Sequence, residues 1–299
     1  MKTFITSPAK YFIFLIVILT ALSCSQSIRP VNNSSAKNRA VTSEEIHVLI
    51  TEKVTYEAME KRIGQYTRKI ALNTNRSDLY IARGDAYFKI QKYEKAVKDY
   101  SKAIKLHDTD EAYFKRGLAY GRNADFDEGI ADLTTYIKRH PRSSLAYTKR
   151  GVRHLWKEDF RSAKKDFITA TTLDPKNAEA HDDLGVIYAR QANQSKDPEY
   201  QAKMYGKAIE HFLSTIEADP TYQKAYHNVA IAYYITGQNT QALLAVNYAL
   251  DLSPGARNSL FLKVQILKAL GRVDEANKLE KKAAYVPEVC HWTESVPMK

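Results

Sequence analysis

The sequence predicts an all-α fold, an α-solenoid of repeated antiparallel helix pairs, and three observations lead to this prediction. Glycines recur at spacings of 33, 34 and 34 residues: Gly84, Gly117, Gly151 and Gly185. Prolines recur at spacings of 34, 45 and 34 residues: Pro141, Pro175, Pro220 and Pro254. The chain contains 20 Tyr but only 11 Gly and 9 Pro, which suits helices packed through aromatic rings. A fixed period of about 34 residues indicates a stack of similar helical units.

The helix pairs can be placed in order along the chain. The clearest one has Tyr80, Gly84 and Tyr87 in its first helix and Ala96 and Tyr100 in its second. This arrangement resembles the tetratricopeptide family, whose pattern is W-x2-L-G-x2-Y, then A-x3-F, then P. The resemblance gives a degenerate leading repeat, six further repeats and a tail, with these bounds: 43–76, 77–109, 110–143, 144–177, 178–222, 223–256, 257–284 and 285–299.

The residue types of this pattern serve packing. Gly or Ala at two fixed positions lets the two helices of a repeat approach closely, and aromatic residues fill the space between repeats. Proline lacks the N–H group and closes the second helix. The resemblance implies a right-handed superhelix in which the first helices line a concave groove.

The first 23 residues have the pattern of an export signal. Lys2 and Lys10 accompany about 13 apolar residues, fewer than the roughly 20 that span a membrane, so we expect this segment to be removed. The stretch from Leu19 to Cys24 resembles a bacterial lipobox, which implies lipid attachment, including palmitate, at Cys24. Residues 24–42 are then a flexible tether. Ordinary signal cleavage after Ala21-Leu22-Ser23 remains an alternative.

Cys290 is the only other cysteine. Two cysteines do not make a disulfide framework. Without lipidation of Cys24, a Cys24–Cys290 disulfide becomes possible in an oxidising compartment.

The formal charge of the chain is +11, and removal of residues 1 to 23 leaves +9 because two lysines and no acids are lost. Such a balance favours acidic partners or an anionic membrane surface. A solvated basic surface explains it equally well.

In the tetratricopeptide family, ligand contacts come from fixed positions of the first helices. Carried over position by position, the resemblance implies fourteen groove residues: Ile81, Asp85, Phe88, Lys89, Phe114, Lys115, Leu118, Arg122, Lys149, Trp156, Arg190, His227, Asn228 and Tyr234. The large aromatics are expected to dominate the affinity for a peptide or helix: Trp156, Phe114 and Tyr234. The cations are expected to meet acidic groups of that partner: Lys89, Arg122, Lys149 and Arg190.

Cytosolic chaperone adaptors of this family hold a C-terminal carboxylate with Lys and Asn at two of these positions. Here Ile81 and Asp85 stand at those positions, so binding of chaperone tails is disfavoured.

An insertion of 11 residues around Gln191 to Met204 enlarges the fourth repeat. We expect it to lengthen both helices or to bulge between them, as a partner site or as a tolerated surface insertion. The tail from residue 285 contains two prolines and is expected to cover the exposed face of the last repeat.

No enzyme motif occurs in the sequence. The eight histidines show no metal-ligand spacing, and no nucleophile elbow or phosphate loop is present. The densest polar cluster, His181-Asp182-Asp183, lies on one predicted helix without an identifiable convergent partner. We therefore expect no catalysis, cofactor, metal or small-molecule substrate. Nucleic-acid binding conflicts with the export signal.

The expected function is that of a non-catalytic scaffold or adaptor, lipid-anchored at the periplasmic face of the outer membrane. It resembles repeat-containing lipoproteins that serve as pilus-secretin pilotins, outer-membrane assembly subunits or adaptors for cell-wall hydrolases. The alternative is a secreted soluble periplasmic adaptor or regulator of cell-wall enzymes.

Overall fold

The computed structural model describes residues 43–284, with side chains from residue 55 onward. Every regular element in this range is an α-helix, and the range contains no strand. The helices are α1 (Ser43–Leu72), α2 (Ser77–Lys89), α3 (Tyr93–Leu106), α4 (Asp110–Arg122), α5 (Phe126–Arg139), α6 (Ser144–Trp156), α7 (Phe160–Leu173), α8 (Ala178–Gln194), α9 (Pro198–Ala218), α10 (Gln223–Ile235), α11 (Asn239–Leu252), α12 (Arg257–Ala269) and α13 (Val273–Ala284). The predicted all-α fold of helix pairs is confirmed.

The helices form two compact units, an N-terminal unit up to Pro141 and a C-terminal unit from Arg142. In the N-terminal unit, α1 to α5 pack in order, and α2 also contacts α4. In the C-terminal unit, α6 to α13 pack in order, and the first helices α6, α8, α10 and α12 contact one another in turn. Within each unit the first helices therefore lie side by side and form what we call the first-helix face.

The leading repeat expected from Ser43 is not a helix pair. Residues 43–72 form the single helix α1, which packs on α2. No proline interrupts this stretch, and its one glycine, Gly64, lies in the helix. Nothing in the local sequence supplies a turn, so this prediction is corrected to one continuous helix.

The small residues act as the sequence analysis predicts. A Cβ added to Gly151 on α6 would lie 2.7 Å from the Phe167 ring of α7, and one added to Gly84 would lie equally close to Tyr100. Both rings are fully buried, together with the small residues Ala96 and Ala163 of the second helices. Close approach of the two helices thus depends on the missing side chains.

Five of the six repeats share one turn between their helices. Its central residue has a positive φ between 59° and 79°: Gln91, Ala124, Glu158, Gly237 and Gly271. The following N–H donates to a carbonyl five residues earlier, as from Asp125 to Tyr120 at 2.9 Å. This hydrogen bond satisfies a carbonyl at the helix end.

The fourth repeat takes up its insertion by lengthening both helices, one of the two alternatives predicted. Helix α8 has 17 residues where α2, α4 and α6 have 13, and α9 has 21 where α3, α5 and α7 have 14. The connection is still three residues long, Ser195 to Asp197. The Asp197 carboxylate and Pro198 start α9, with the Asp197 side chain accepting from the N–H of Glu199 at 3.0 Å.

Across residues 43–284, no helix combines the length and the apolar character needed to cross a membrane. The export signal, Cys24, the tether, the tail and Cys290 lie outside the described residues. The expectations stated for them remain predictions.

Candidate functional site

A repeated ion pair fixes the orientation of the first helices. In repeats one to three, an arginine of the first helix binds an aspartate 16 residues later with both carboxylate oxygens, at 2.7 to 2.8 Å: Arg83–Asp99, Arg116–Asp132 and Arg150–Asp166. The three aspartates are buried. Hydrogen bonding to the carboxylates raises the pKa of each arginine. Bidentate arginine–carboxylate pairs of this kind are stronger and more precisely oriented than hydrogen bonds between neutral groups.

The enlarged repeat has a histidine pair instead. Leu184 and His211 occupy the positions of the arginine and aspartate, and the Nδ1 atoms of His181 and His211 lie 3.0 Å apart. The His211 ring also stacks on Tyr188, whose face lies 4.1 Å from the ammonium of Lys164. Burial, with a smaller effect of His181, lowers the pKa of His211 to about 4, and burial also lowers the pKa of His181.

The first-helix face of the N-terminal unit is centred on Asp85. Its carboxylate accepts from the Tyr100 hydroxyl at 2.8 Å and from the Lys115 ammonium at 2.6 Å. Lys115 also pairs with Glu111 at 2.7 Å. Despite partial burial, these two acids raise the pKa of Lys115. The charge of Lys115 is thus neutralised within the chain.

The other predicted residues of this face are placed around that centre. The Phe88 ring meets Tyr93 edge-on at 5.4 Å, and the Phe114 ring lies 4.9 Å from Tyr136. These aromatics are half-buried, as are Leu118 and Arg122, whereas Lys89 is exposed.

The first-helix face of the C-terminal unit carries two further ion pairs. Lys149 of α6 bonds both carboxylate oxygens of Glu179 on α8, at 2.5 and 2.8 Å. Lys224 of α10 lies 2.8 Å from the buried Asp182, which also accepts from the Asn228 amide at 2.9 Å. These contacts tie three successive first helices together.

Apolar side chains at this face differ in exposure. Trp156 at the end of α6 is 36% exposed and Leu145 at its start is 50% exposed. Tyr234 is partly buried and packs against the core of the C-terminal unit. The Arg190 guanidinium lies 4.0 Å from the Phe160 ring centre, an arrangement that stabilises the cation within the chain.

Two predicted groove residues are core residues instead. Ile81 is 8% exposed and packs with Tyr80 and Ala112, so little of it can touch a ligand. His227 is 7% exposed, and its Nδ1 lies 2.9 Å from the Ser259 hydroxyl. Burial lowers the pKa of His227 to about 4. Because both side chains fill space between neighbouring helices, the prediction that they line the groove is corrected.

The partners of the groove cations were not predicted from the sequence. Position-by-position comparison assigned Lys115 and Lys149 to a ligand, although Asp85 and Glu179 face them from the neighbouring first helices. The spacing of about 30 residues between these partners was available as a signal. Asp183 was singled out only as part of the His181-Asp182-Asp183 cluster, and its burial on α8 was not predicted.

The two first-helix faces have the chemistry of a binding surface. They combine partly exposed aromatic and aliphatic groups with charged groups, of which Lys115 and Lys149 are paired within the chain. Among residues 55–284 no group of three or more histidine, cysteine, aspartate or glutamate side chains could hold a metal ion.

The chain is similar to proteins built from one kind of repeat. Residues 84–123 match the family described as TPR repeat, and residues 111–143 match the family described as tetratricopeptide repeat. The Hsp70-Hsp90 organizing protein 3 of Arabidopsis thaliana is 27% identical over 156 residues, which are 46% of this chain and 28% of that protein. The match thus spans little more than a quarter of that relative.

Two solved structures share the fold over most of both chains. A tetratricopeptide repeat protein from Parabacteroides merdae has a TM-score of 0.56 at 18% identity, covering 85% of this chain and 95% of its own. The pilF protein of Pseudomonas aeruginosa has a TM-score of 0.59 at 16% identity, covering 73% and 95%. At these identities the likeness concerns the fold.

Proposed function

The chain is a tetratricopeptide-repeat protein, and from this premise we propose that it is a non-catalytic scaffold tethered to a bacterial envelope membrane. In this proposal the first-helix faces bind a peptide or helix of a protein partner, and the complex belongs to envelope or outer-membrane assembly. Repeats of this family mediate protein–protein interaction, as the name of the Hsp70-Hsp90 organizing relative indicates for that protein.

The observation that carries the proposal is the apolar exposure on α6. Trp156 and Leu145 are large, apolar and exposed, and they lie 11 residues apart on one first helix. A rise of 1.5 Å per residue places them about 16 Å apart along the helix axis. That length matches about five residues of an extended peptide or three turns of a helix, and an exposed tryptophan is a typical affinity anchor.

Site-specific crosslinking in the native host tests the binding face. A photoreactive amino acid at position 156 is expected to capture a discrete partner, whereas the same group at Lys165, exposed on the second helix α7, is not. With that partner purified, Trp156→Ala is expected to weaken binding at least tenfold, about 1.4 kcal/mol, without lowering Tm. Equal capture from both positions, or unchanged affinity of the variant, would overturn the proposed face.

The membrane tether is a separate part of the proposal. It is supported by the lipobox-like stretch before Cys24 and by the absence of any other cysteine before residue 290. In detergent phase partitioning, the wild-type protein is expected in the detergent phase and Cys24→Ala in the aqueous phase. Equal partitioning and processing of the two would favour the second candidate, a secreted soluble periplasmic adaptor or regulator of cell-wall enzymes.

We do not carry the chaperone partners of the relative over to this chain. Ile81 is buried, and Asp85 already holds Lys115 and Tyr100, so neither position offers a donor to a carboxylate. Isothermal titration with a chaperone C-terminal peptide is expected to show no binding at 1 mM. Any saturable binding would show that this chain can bind chaperone C-termini and would contradict this expectation.

A further inference from the structure

Three helices of the C-terminal unit align polar side chains at one repeat position. Lys149 of α6, Asp183 of α8 and Asn228 of α10 follow one another by 34 and 45 residues, one repeat and one enlarged repeat. Lys149 bonds Glu179, and Asn228 bonds Asp182. Each end of this row is therefore occupied by a partner on α8.

Asp183 at the centre of the row has no such partner. It is 9% exposed, and no hydrogen bond or ion pair reaches its carboxyl from any side chain or backbone group within residues 55–284. Its neighbours along α8 are both engaged, Asp182 with Lys224 and Glu179 with Lys149. A largely buried carboxylate without a partner in the protein is costly, so the site favours a proton or another cation.

The charges around Asp183 do not balance. The groups that act on it are Lys224 of α10, Asp182 and Glu179 of α8, and Lys149 of α6. With Asp183 ionised the cluster has three negative and two positive charges. Burial, reinforced by the two acids, raises the pKa of Asp183 to about 7. Tyr222, just before α10, is half-buried beside the same charges, and this burial, reinforced by Asp182, raises its pKa.

From this arrangement we propose that the first-helix face of the C-terminal unit takes up one lysine or arginine side chain of a bound protein partner, with its charged group on Asp183. The proposal rests on the proposed function, because it assumes that a partner occupies this face. The incoming ammonium or guanidinium displaces a proton from Asp183 and completes the charge balance of the cluster.

The neighbouring side chains permit entry of a long, thin side chain. Lys149, Glu179 and Lys224 keep 26%, 38% and 31% of their side-chain area exposed, so the row opens to solvent on both sides of Asp183. Lysine and arginine can place a charge at the end of an apolar stem in such a setting. A divalent metal is a poorer match, since the other two acids already bind lysines.

This chemistry differs from the acidic partner expected from the sequence. That expectation depended on free cations in the groove. Lys149 is paired within the chain, and Arg190 stacks on Phe160. The unsatisfied group on this face is an acid, so the partner segment is basic at this point.

Titration of the Asp183 carboxyl carbon by NMR in the full chain tests the proposal without the native partner. The probe is the blocked tripeptide Ala-Lys-Ala, and its matched control is Ala-Gln-Ala. At a probe concentration ten times its Kd, the lysine peptide is expected to lower the pKa of Asp183 by about one unit. The glutamine peptide is expected to leave it unchanged. An equal shift with both peptides, or no shift with either, overturns the proposal.

A matched pair of variants tests the same site by affinity. Asp183→Asn is expected to weaken binding of the lysine peptide at pH 8 at least tenfold, while Glu217→Gln, which removes an exposed acid on α9, leaves it within twofold. If Asp183→Asn does not fold, the wild-type titration decides alone. If binding of the lysine peptide does not depend on Asp183 while capture at position 156 persists, this inference is refuted and the proposed function stands.

Discussion

The first three repeats and the enlarged fourth repeat hold the same helix pair together by different chemistry. In the first three, a fixed positive charge meets a buried carboxylate in a bidentate bond, and at Arg83 and Arg116 two tyrosine rings flank the guanidinium. In the fourth, Leu184 is fully buried and two neutral histidines share one hydrogen bond. The close packing of a first-helix glycine against the second helix is common to all four repeats, so this packing defines the repeat. The polar pair across it can change, provided both members change together.

Removing one member of a charged pair is expected to give the largest effect. Arg116→Leu leaves the buried Asp132 carboxylate uncompensated, so the free energy of unfolding should fall by about 3 kcal/mol. The double variant Arg116→Leu, Asp132→His places the residue types of Leu184 and His211 at these two positions and is expected to lose only about 1 kcal/mol. Urea denaturation of the three proteins measures both values. A double variant as unstable as the single one would contradict the claim that the pair is exchangeable.

The histidine pair is expected to make the fourth repeat sensitive to acid. The pKa of His211 in the folded chain is about 4, below its usual value of 6.5, so the folded state disfavours the proton. The stabilising effect is complete above pH 6.5, and it declines as the pH falls from about 6.5 towards 4. His181, with its lowered pKa, acts in the same direction.

Urea denaturation at pH 7.5 and pH 5.0 measures this sensitivity. His211→Gln keeps a hydrogen-bonding side chain but cannot take up a proton, so its stability should fall less between the two pH values than that of the wild type. His107→Gln, at an exposed histidine after α3, is the matched control and should retain the wild-type dependence. If the His211 variant shows the same pH dependence as wild type, the pair is not the acid-sensitive element.

The smallest expected effect concerns the turn shared by the other repeats. Gly237 and Gly271 occupy the left-handed position in repeats five and six, whereas Ala124 occupies it in repeat two at φ 65°. An L-residue pays about 1 kcal/mol for this conformation, so Ala124→Gly is expected to stabilise the protein by about 0.5–1 kcal/mol. Thermal unfolding should show a higher Tm. The reverse change, Gly237→Ala, serves as the paired control and should lower it.

The sequence was sufficient for the repeat frame. The glycine and proline spacings predict each helix pair. At a glycine such as Gly151 the ring of Phe167 occupies the space that a Cβ would fill, and this contact involves only residues of the same repeat. The leading repeat predicted for residues 43–76 was wrong, since a repeat-like pattern in this range does not by itself supply a turn between two helices.

The binding face was predicted less well than the fold. Family positions tell which residues face the groove, but whether a lysine there is free depends on the neighbouring repeat. Lys115 and Lys149 are neutralised by Asp85 and Glu179, about 30 residues away. For the His181-Asp182-Asp183 cluster the sequence showed no convergent partner. The charged groups that act on Asp183 include residues of α6 and α10, which cannot be recognised from the sequence of α8 alone.

The extra residues of the fourth repeat are divided in a way that preserves the angular phase of both helices. Four added residues on α8 are about 1.1 turns and seven on α9 are about 1.9 turns at 3.6 residues per turn. The buried stripe of each helix therefore continues in line through the added turns, where Ala192 and Met204 are also buried. Additions of near-whole turns let one repeat of an array project outward while its neighbours keep their register.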